Sequence, residues 1–188
     1  MIALSACTTY TSWMGGVYFE HGGIRFRSVA PEDLSFIQDL RNDPSTWMQL
    51  GDPRPLKPGL QKKWLESLDS SSDRFYYIAE NGTGLPVGLV RMDEYDPINR
   101  SIRVGADVAP AQRRKHYGLA IYAAIKEYGF AHLGLHRIWL LVLATNKPAI
   151  ALYKAVGFSV EGTLRQAVFR SGKWVDYLSM SILEGGRR

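Results

Sequence analysis

Cysteine is almost absent. Cys7 is the only one in 188 residues, so no intramolecular disulfide and no cysteine-built metal site can form. Histidine is scarce too. Of His21, His116, His132 and His136, only the last two lie four apart, and a turn expected at Gly134 separates them, so no zinc site is expected. No apolar run reaches the roughly 18 residues that a membrane span needs. No Lys/Arg run exceeds three residues, and no helix reads as a basic stripe, which argues against a dedicated nucleic-acid binder. Internal repeats and low-complexity blocks are missing. Leu4-Ser5-Ala6-Cys7 fits a lipoprotein-type cleavage box, but only Met1-Ile2-Ala3 precede it, where a cationic start and an apolar stretch are required. A reduced, cytoplasmic protein is expected.

What is present is ordinary in bulk and distinctive in detail. The chain is 46% hydrophobic and 22% charged, which suits one packed domain. Residues 1–22 show no period and read as an N-terminal extension. Residues 23–183 read as one domain, and 184–188 as a polar tail. The formal net charge of +5 favours anionic ligands without choosing among them.

Periodicity gives the order of elements. Ile24–Val29 alternates as a strand. Pro31-Glu32-Asp33 opens a helix with apolar Leu34, Ile37 and Leu40. A short helix follows through Trp47, Met48 and Leu50, then a loop over 51–55 and a helix over about Pro58–Leu68. Phe75–Ala79, Val87–Glu94 and Ser101–Val108 are strands. A long helix spans about 118–133, His136–Leu143 is a nearly all-apolar strand, and 147–156 is a helix stopped by Gly157. A hairpin over Gly162–Ser171 and Lys173–Ile182 closes the chain. This is a mixed α+β order with one central parallel junction.

Two stretches carry chemistry. In Pro110-Ala111-Gln112-Arg113-Arg114-Lys115-His116-Tyr117-Gly118-Leu119-Ala120, three cations precede a helix start. Free N–H groups and the positive end of the helix dipole make such a turn an anion site, with polyphosphate its natural guest. An ordinary loop of solvated charges also fits. In the second, Asn146 to Phe158, Asn146 and Tyr153 lie two helical turns apart and share a face. Asn146 sits where an N-cap belongs, with Pro148 in the first turn. A capped helix with a packed Tyr fits as well as a ligand-binding face.

Together these stretches resemble the GCN5-related N-acetyltransferase (GNAT) superfamily over about residues 24–183. The family's pyrophosphate loop, Arg/Gln-x-x-Gly-x-Gly/Ala, reads Arg113-Arg114-Lys115-His116-Tyr117-Gly118 here. Its later motif, Asn-x-x-Ala-x-x-x-Tyr-x-x-x-Gly-Phe, is met at Asn146, Ala149, Tyr153, Gly157 and Phe158. Val160-Glu161-Gly162 and Arg165 continue the branch that includes ribosomal-protein, spermidine and amino-sugar acetyltransferases. His116 departs from the pattern, standing where the first loop glycine belongs. It is accommodated if its φ is negative and its ring turns aside, or its ring meets a phosphate.

The resemblance implies a GNAT-like, mostly antiparallel central sheet of about seven strands, splayed in the middle, with helices on both faces. It implies acetyl-CoA as co-substrate, seated where the strands part at Val108. The pyrophosphate is held by Arg113, Arg114, Lys115, His116, Tyr117, Gly118 and Leu119, and the pantetheine arm by Val108, Asn146 and Ala149. Tyr153 is the implied proton donor to the departing thiolate. Glu94 matches a carboxylate position in the spermidine branch and is the candidate base, although a solvated strand-end charge fits it too. Asp93 points to the opposite sheet face, and Asp107 is a further candidate. Arg103 stands where many relatives carry Glu.

The implied reaction is acetyl transfer to a primary amine of a small molecule, an amino sugar (nucleotide-linked or not) or a polyamine, or of a protein N-terminus. Arg41, Trp47 and Trp64, with Met48, Phe169 and Trp174, are candidates to line the acceptor pocket. Arg41-Asn42 with Trp47-Met48 resembles acetyltransferases of nucleotide-linked amino sugars. The alternatives are a non-catalytic acyl-CoA-binding module and a nucleic-acid-modifying acyltransferase. The branch often forms dimers, so a homodimer is a further expectation, and no membrane or metal partner is expected.

Overall fold

The computed structural model describes residues 17–186; the lipoprotein-type box, Cys7 and most of the 1–22 extension lie outside them. The strands are β1 (Val17–His21), β2 (Ile24–Ser28), β3 (Phe75–Glu80), β4 (Pro86–Asp96), β5 (Ser101–Val108), β6 (Arg137–Leu143), β7 (Ser159–Arg170) and β8 (Lys173–Leu183). The helices are α1 (Leu34–Asn42), α2 (Pro44–Trp47), α3 (Pro58–Asp69), α4 (Tyr117–Glu127) and α5 (Lys147–Val156). One sheet of eight strands runs in the order β1-β2-β3-β4-β5-β6-β8-β7. The strand beyond the expected seven is β1, which comes from the segment read as an extension and pairs antiparallel with β2.

Two apolar clusters sandwich the sheet. Ile102 and Val104 of β5 and Ile138 and Leu140 of β6 pack with Ile121 and Ile125 of α4 and with Ile150 and Val156 of α5. On the opposite face, Ile78 and Leu89 pack with Ile37 and Leu40 of α1, and Trp64 of α3 lies against them. The period-2 pattern of β5 sorts its residues between the faces. Ile102, Val104, Ala106 and Val108 belong to the α4 cluster, which leaves Arg103, Gly105 and Asp107 to the α1 side.

The sheet opens in its middle. β5 and β6 are parallel, and they pair only through Ser101–Arg103 against Arg137–Trp139. Each strand then follows its outer neighbour. β5 stays on β4 as far as Val108 against Gly88, while β6 stays on β8 as far as Leu143 against Tyr177. The strands were expected to part at Val108; they part five residues earlier, so the gap is deeper than the sequence suggests. The helix expected over 118–133 is α-helical only to Glu127, and Tyr128–His132 continue it as a π-helical turn.

Candidate active site

Because β6 leaves β5 after Arg103, the N–H of Ala106 has no strand to bond. It donates instead to the Tyr122 hydroxyl at 3.1 Å. Tyr122 in turn donates to the Tyr153 oxygen at 3.3 Å. The two rings meet edge to face at 4.9 Å, a favoured aromatic geometry. With Tyr153 accepting, its own proton is left to be given away. Burial pushes the Tyr153 hydroxyl above the ordinary tyrosine range; the Tyr122 hydrogen bond works against this, Asp107 adds to it, and Arg91 opposes it. Tyr122 is raised further, chiefly by burial. Both hydroxyls are therefore protonated at neutral pH.

The gap widens into a cleft of about 1180 Å³. At one end lies the turn before α4. Arg114 and His116 both adopt left-handed backbone, with φ of 62° and 61°. This corrects the expectation of a negative φ at His116: the residue keeps the conformation that a glycine would take. Left-handed residues placed two apart turn successive N–H groups toward one side, the geometry of an anion-binding nest. The side chain of His116 is exposed, so its ring does not fill the turn. Gly118 allows α4 to approach α5, since a Cβ there would lie 2.8 Å from Leu152 Cδ1. Asn146 accepts from the Ala149 N–H at 3.2 Å and so caps α5 while also lining the cleft. These features fit a diphosphate lying on the turn and an extended pantetheine arm reaching along β5.

Most of the expected co-substrate residues line this cleft: Val108, Arg113, Arg114, His116, Tyr117, Gly118, Leu119, Asn146, Ala149 and Tyr153. Lys115 does not, because its ammonium turns back to the Gln112 side chain at 3.0 Å. Arg113 lines it but is occupied elsewhere. Its guanidinium donates to Ser45 Oγ at 2.6 Å, Thr46 Oγ1 at 2.7 Å and the Val108 carbonyl at 3.1 Å, fastening α2 to the end of β5.

The acceptor expectations divide. Arg41 lines the cleft, and Trp47 does not. Trp64 and Glu94 line a second cavity, on the α1–α3 face of the sheet. Glu94, expected as base, is displaced by a register shift between Asp93 and Asp96. That shift puts Glu94 at φ 55°, and Arg103 holds its carboxylate at 3.1 Å. Asp93, expected to face away, lines both cavities. Sequence reasoning missed Tyr122, which reads as one more apolar position on α4, and Arg91, which reads as a strand cation. No local signal marks either one; each gains its place from a partner on another element.

Comparisons with known proteins bear on this geometry. The family model described as Acetyltransferase (GNAT) domain matches residues 24–159. The spermidine N(1)-acetyltransferase of Vibrio cholerae is 29% identical over 164 residues, covering 86% of this chain and 93% of the relative. The crystal structure of the Vibrio cholerae spermidine N-acetyltransferase in complex with CoA and spermine superposes with a TM-score of 0.82 at 26% identity, covering 87% of this chain and 96% of that one. A dodecameric structure of the Vibrio cholerae enzyme gives 0.75 at 27% identity, covering 86% and 94%. The family match over most of the chain and these likenesses in sequence and fold show that the chain belongs to the GNAT family as an acetyl-CoA-dependent N-acetyltransferase.

Proposed function

We propose that the enzyme acetylates a primary amine of a small molecule by direct transfer, with Tyr153 as the general acid. The observation that carries this is the hydrogen-bond direction from Ala106 through Tyr122 to Tyr153. The neutral amine forms the C–N bond at the thioester carbonyl. The C–S bond breaks, and the thiolate takes the Tyr153 proton. The proton shed by the new amide nitrogen returns through water to the Tyr153 phenolate. Held geometry supplies much of the rate, because acyl transfer from a thioester is chiefly a matter of orientation. The turn at Arg114–Leu119 holds the diphosphate, and Asn146 and β5 steady the arm.

Likeness to the spermidine acetyltransferases supports a polyamine as one acceptor class. The dodecameric relative supports self-association of this chain. A cytoplasmic location fits the co-substrate and the single cysteine. We take 23–183 as the catalytic unit, joined by β1.

Thiol release from acetyl-CoA over an amine panel tests the reading. Tyr153→Phe should keep acetyl-CoA binding by calorimetry and lose about 10²- to 10⁴-fold in kcat, the usual share of a general acid. Unchanged kcat in that variant rules out the acid role.

A further inference from the structure

The cleft and the second cavity meet at Arg41, Arg91, Asp93 and Arg103. Asp107 sits behind this neck, its side chain 9% exposed, with Arg91 at 3.1 Å and Arg41 at 3.7 Å. Two guanidiniums therefore share one carboxylate. Gly105 makes the room, because a Cβ there would lie 3.1 Å from the Arg91 guanidinium. For Arg41, Asp107 is the only ionic partner among the described residues, and it is too distant for a hydrogen bond. Burial and the Arg91 charge push Arg41 below the ordinary arginine range despite the pull of Asp107.

Arg91 Nε at the neck and Gln61 Nε2 in the second cavity are buried donors without an acceptor, and Asp107 Oδ2 is a buried acceptor without a hydrogen-bond donor; Gln61 is only 5% exposed. Buried donors of this kind are ordinarily satisfied by protein, water or ligand. The second cavity, about 490 Å³ in volume, is lined by five cations and three carboxylates. Two of those carboxylates are already taken, Asp93 by Arg103 at 3.6 Å and Glu94 by Arg103 at 3.1 Å. Cations outnumber carboxylates along this wall. An acceptor that brings its own oxygens would satisfy the donors and balance the second guanidinium. The rest of the wall is apolar, formed by Ile37, Leu60, Trp64 and Leu89. The anion site opens on the same cleft as Tyr153, since Arg41, Arg91, Asp107 and Tyr153 all line it, and the charges of Asp107 and Arg91 act on the Tyr153 hydroxyl.

Resting on the transferase reading above, we propose that the acceptor is amino-acid-like: a primary amine with a carboxylate a few bonds away, which docks on Arg41 and Arg91, and an apolar or aromatic side chain, which enters the cavity beside Trp64.

The test uses matched acceptors in the thiol-release assay: phenylalanine, phenylalanine amide, phenethylamine and spermidine. A charge-assisted pair lost with the carboxylate predicts kcat/KM about 10- to 100-fold higher for the acid than for its amide. Arg41→Gln should erase that ratio while leaving acetyl-CoA binding by calorimetry intact, and Arg41→Lys should restore part of it. Equal rates for acid and amide, or turnover of spermidine alone, overturn the anion site and leave the transferase standing. Failure to bind acetyl-CoA removes the transferase and this inference together. If acetyl-CoA binds and none of the four amines turns over, melting of the CoA-loaded enzyme decides. Stabilisation by N-acetylphenylalanine but not by its amide upholds the site, and any other pattern overturns it.

Discussion

Tyr122→Phe isolates the relay, because it removes one oxygen and leaves the ring packing in place. Two hydrogen bonds go with it, at 3.1 Å and 3.3 Å. The first loss leaves the Ala106 N–H unpaired at the edge of the gap. An unsatisfied buried donor costs about 1–3 kcal/mol, and water entering the cleft should hold this near the lower figure. For a chain of this size about 1 kcal/mol lowers Tm by roughly 2–4 °C. The second loss acts on chemistry. A hydrogen bond donated to the Tyr153 oxygen favours its phenolate and lowers its pKa. Without that bond Tyr153 becomes a weaker acid. A net hydrogen-bond contribution of about 0.5–1.5 kcal/mol corresponds to about 2- to 13-fold in kcat, and the 3.3 Å length favours the lower half of that range. The pH dependence has a definite sign. Tyr153 must be protonated to act, so kcat falls as pH rises through its pKa, and the variant should shift that alkaline fall to higher pH. Steady-state thiol release from pH 6 to 11 reads both effects, with differential scanning calorimetry for Tm. A kcat as low as that of Tyr153→Phe, or an alkaline edge moving downward, would refute the relay.

Further expectations follow from contacts elsewhere. Gly118→Ala drives a Cβ to 2.8 Å from a flexible leucine tip, whereas Gly88→Ala drives one to 2.6 Å from the Asp107 carbonyl. Urea unfolding should show a loss of about 1–3 kcal/mol for the first and a larger one for the second; the reverse order would discredit the packing argument. His116→Gly relieves a left-handed residue worth roughly 1–2 kcal/mol, partly offset by glycine's backbone entropy. Its melting temperature should hold or rise slightly, and a fall of several degrees would show that the histidine ring has a packing role. Glu161 is held near a pKa of about 2, first by Arg137, with Ser181 assisting against desolvation. A depressed carboxylate stabilises above its unfolded value and loses that contribution as pH falls through about 2. The pair is about one-third exposed, so Glu161→Gln should cost no more than about 1 kcal/mol at pH 7. The difference from the parent protein should shrink as pH falls toward about 2 and vanish below it; a persistent one would mean the side chain packs rather than pairs.

Local patterns carried much of the fold. The alternation of Ser101–Val108 and the capped run 147–156 match β5 and α5 residue for residue, because each element's burial period is written in its own residues. The turn before α4 was expected from its cations and its place before a helix, but its two left-handed residues were not. The residues that escaped depend on relations between elements. Tyr122 belongs to the site only because β6 withdraws from Ala106, and that withdrawal follows from each strand's allegiance to its outer neighbour. Glu94 was misplaced for a related reason. Strict alternation sends Asp93 and Glu94 to opposite faces, but the register shift before Asp96 breaks the period where it was being applied. Arg41 was singled out by residue type. Its significance comes from Arg91, fifty positions away, competing with it for one carboxylate.

The three rungs that join β5 to β6 leave the molecule with an interior seam. Strand margins are normally kept at the periphery of a sheet, where charge or twist can guard them. Here an open margin lies at the centre, and its natural cover is a co-substrate that arrives and departs with every turnover. Co-substrate seated in that gap should therefore raise the protein's melting temperature, read by differential scanning calorimetry with and without CoA.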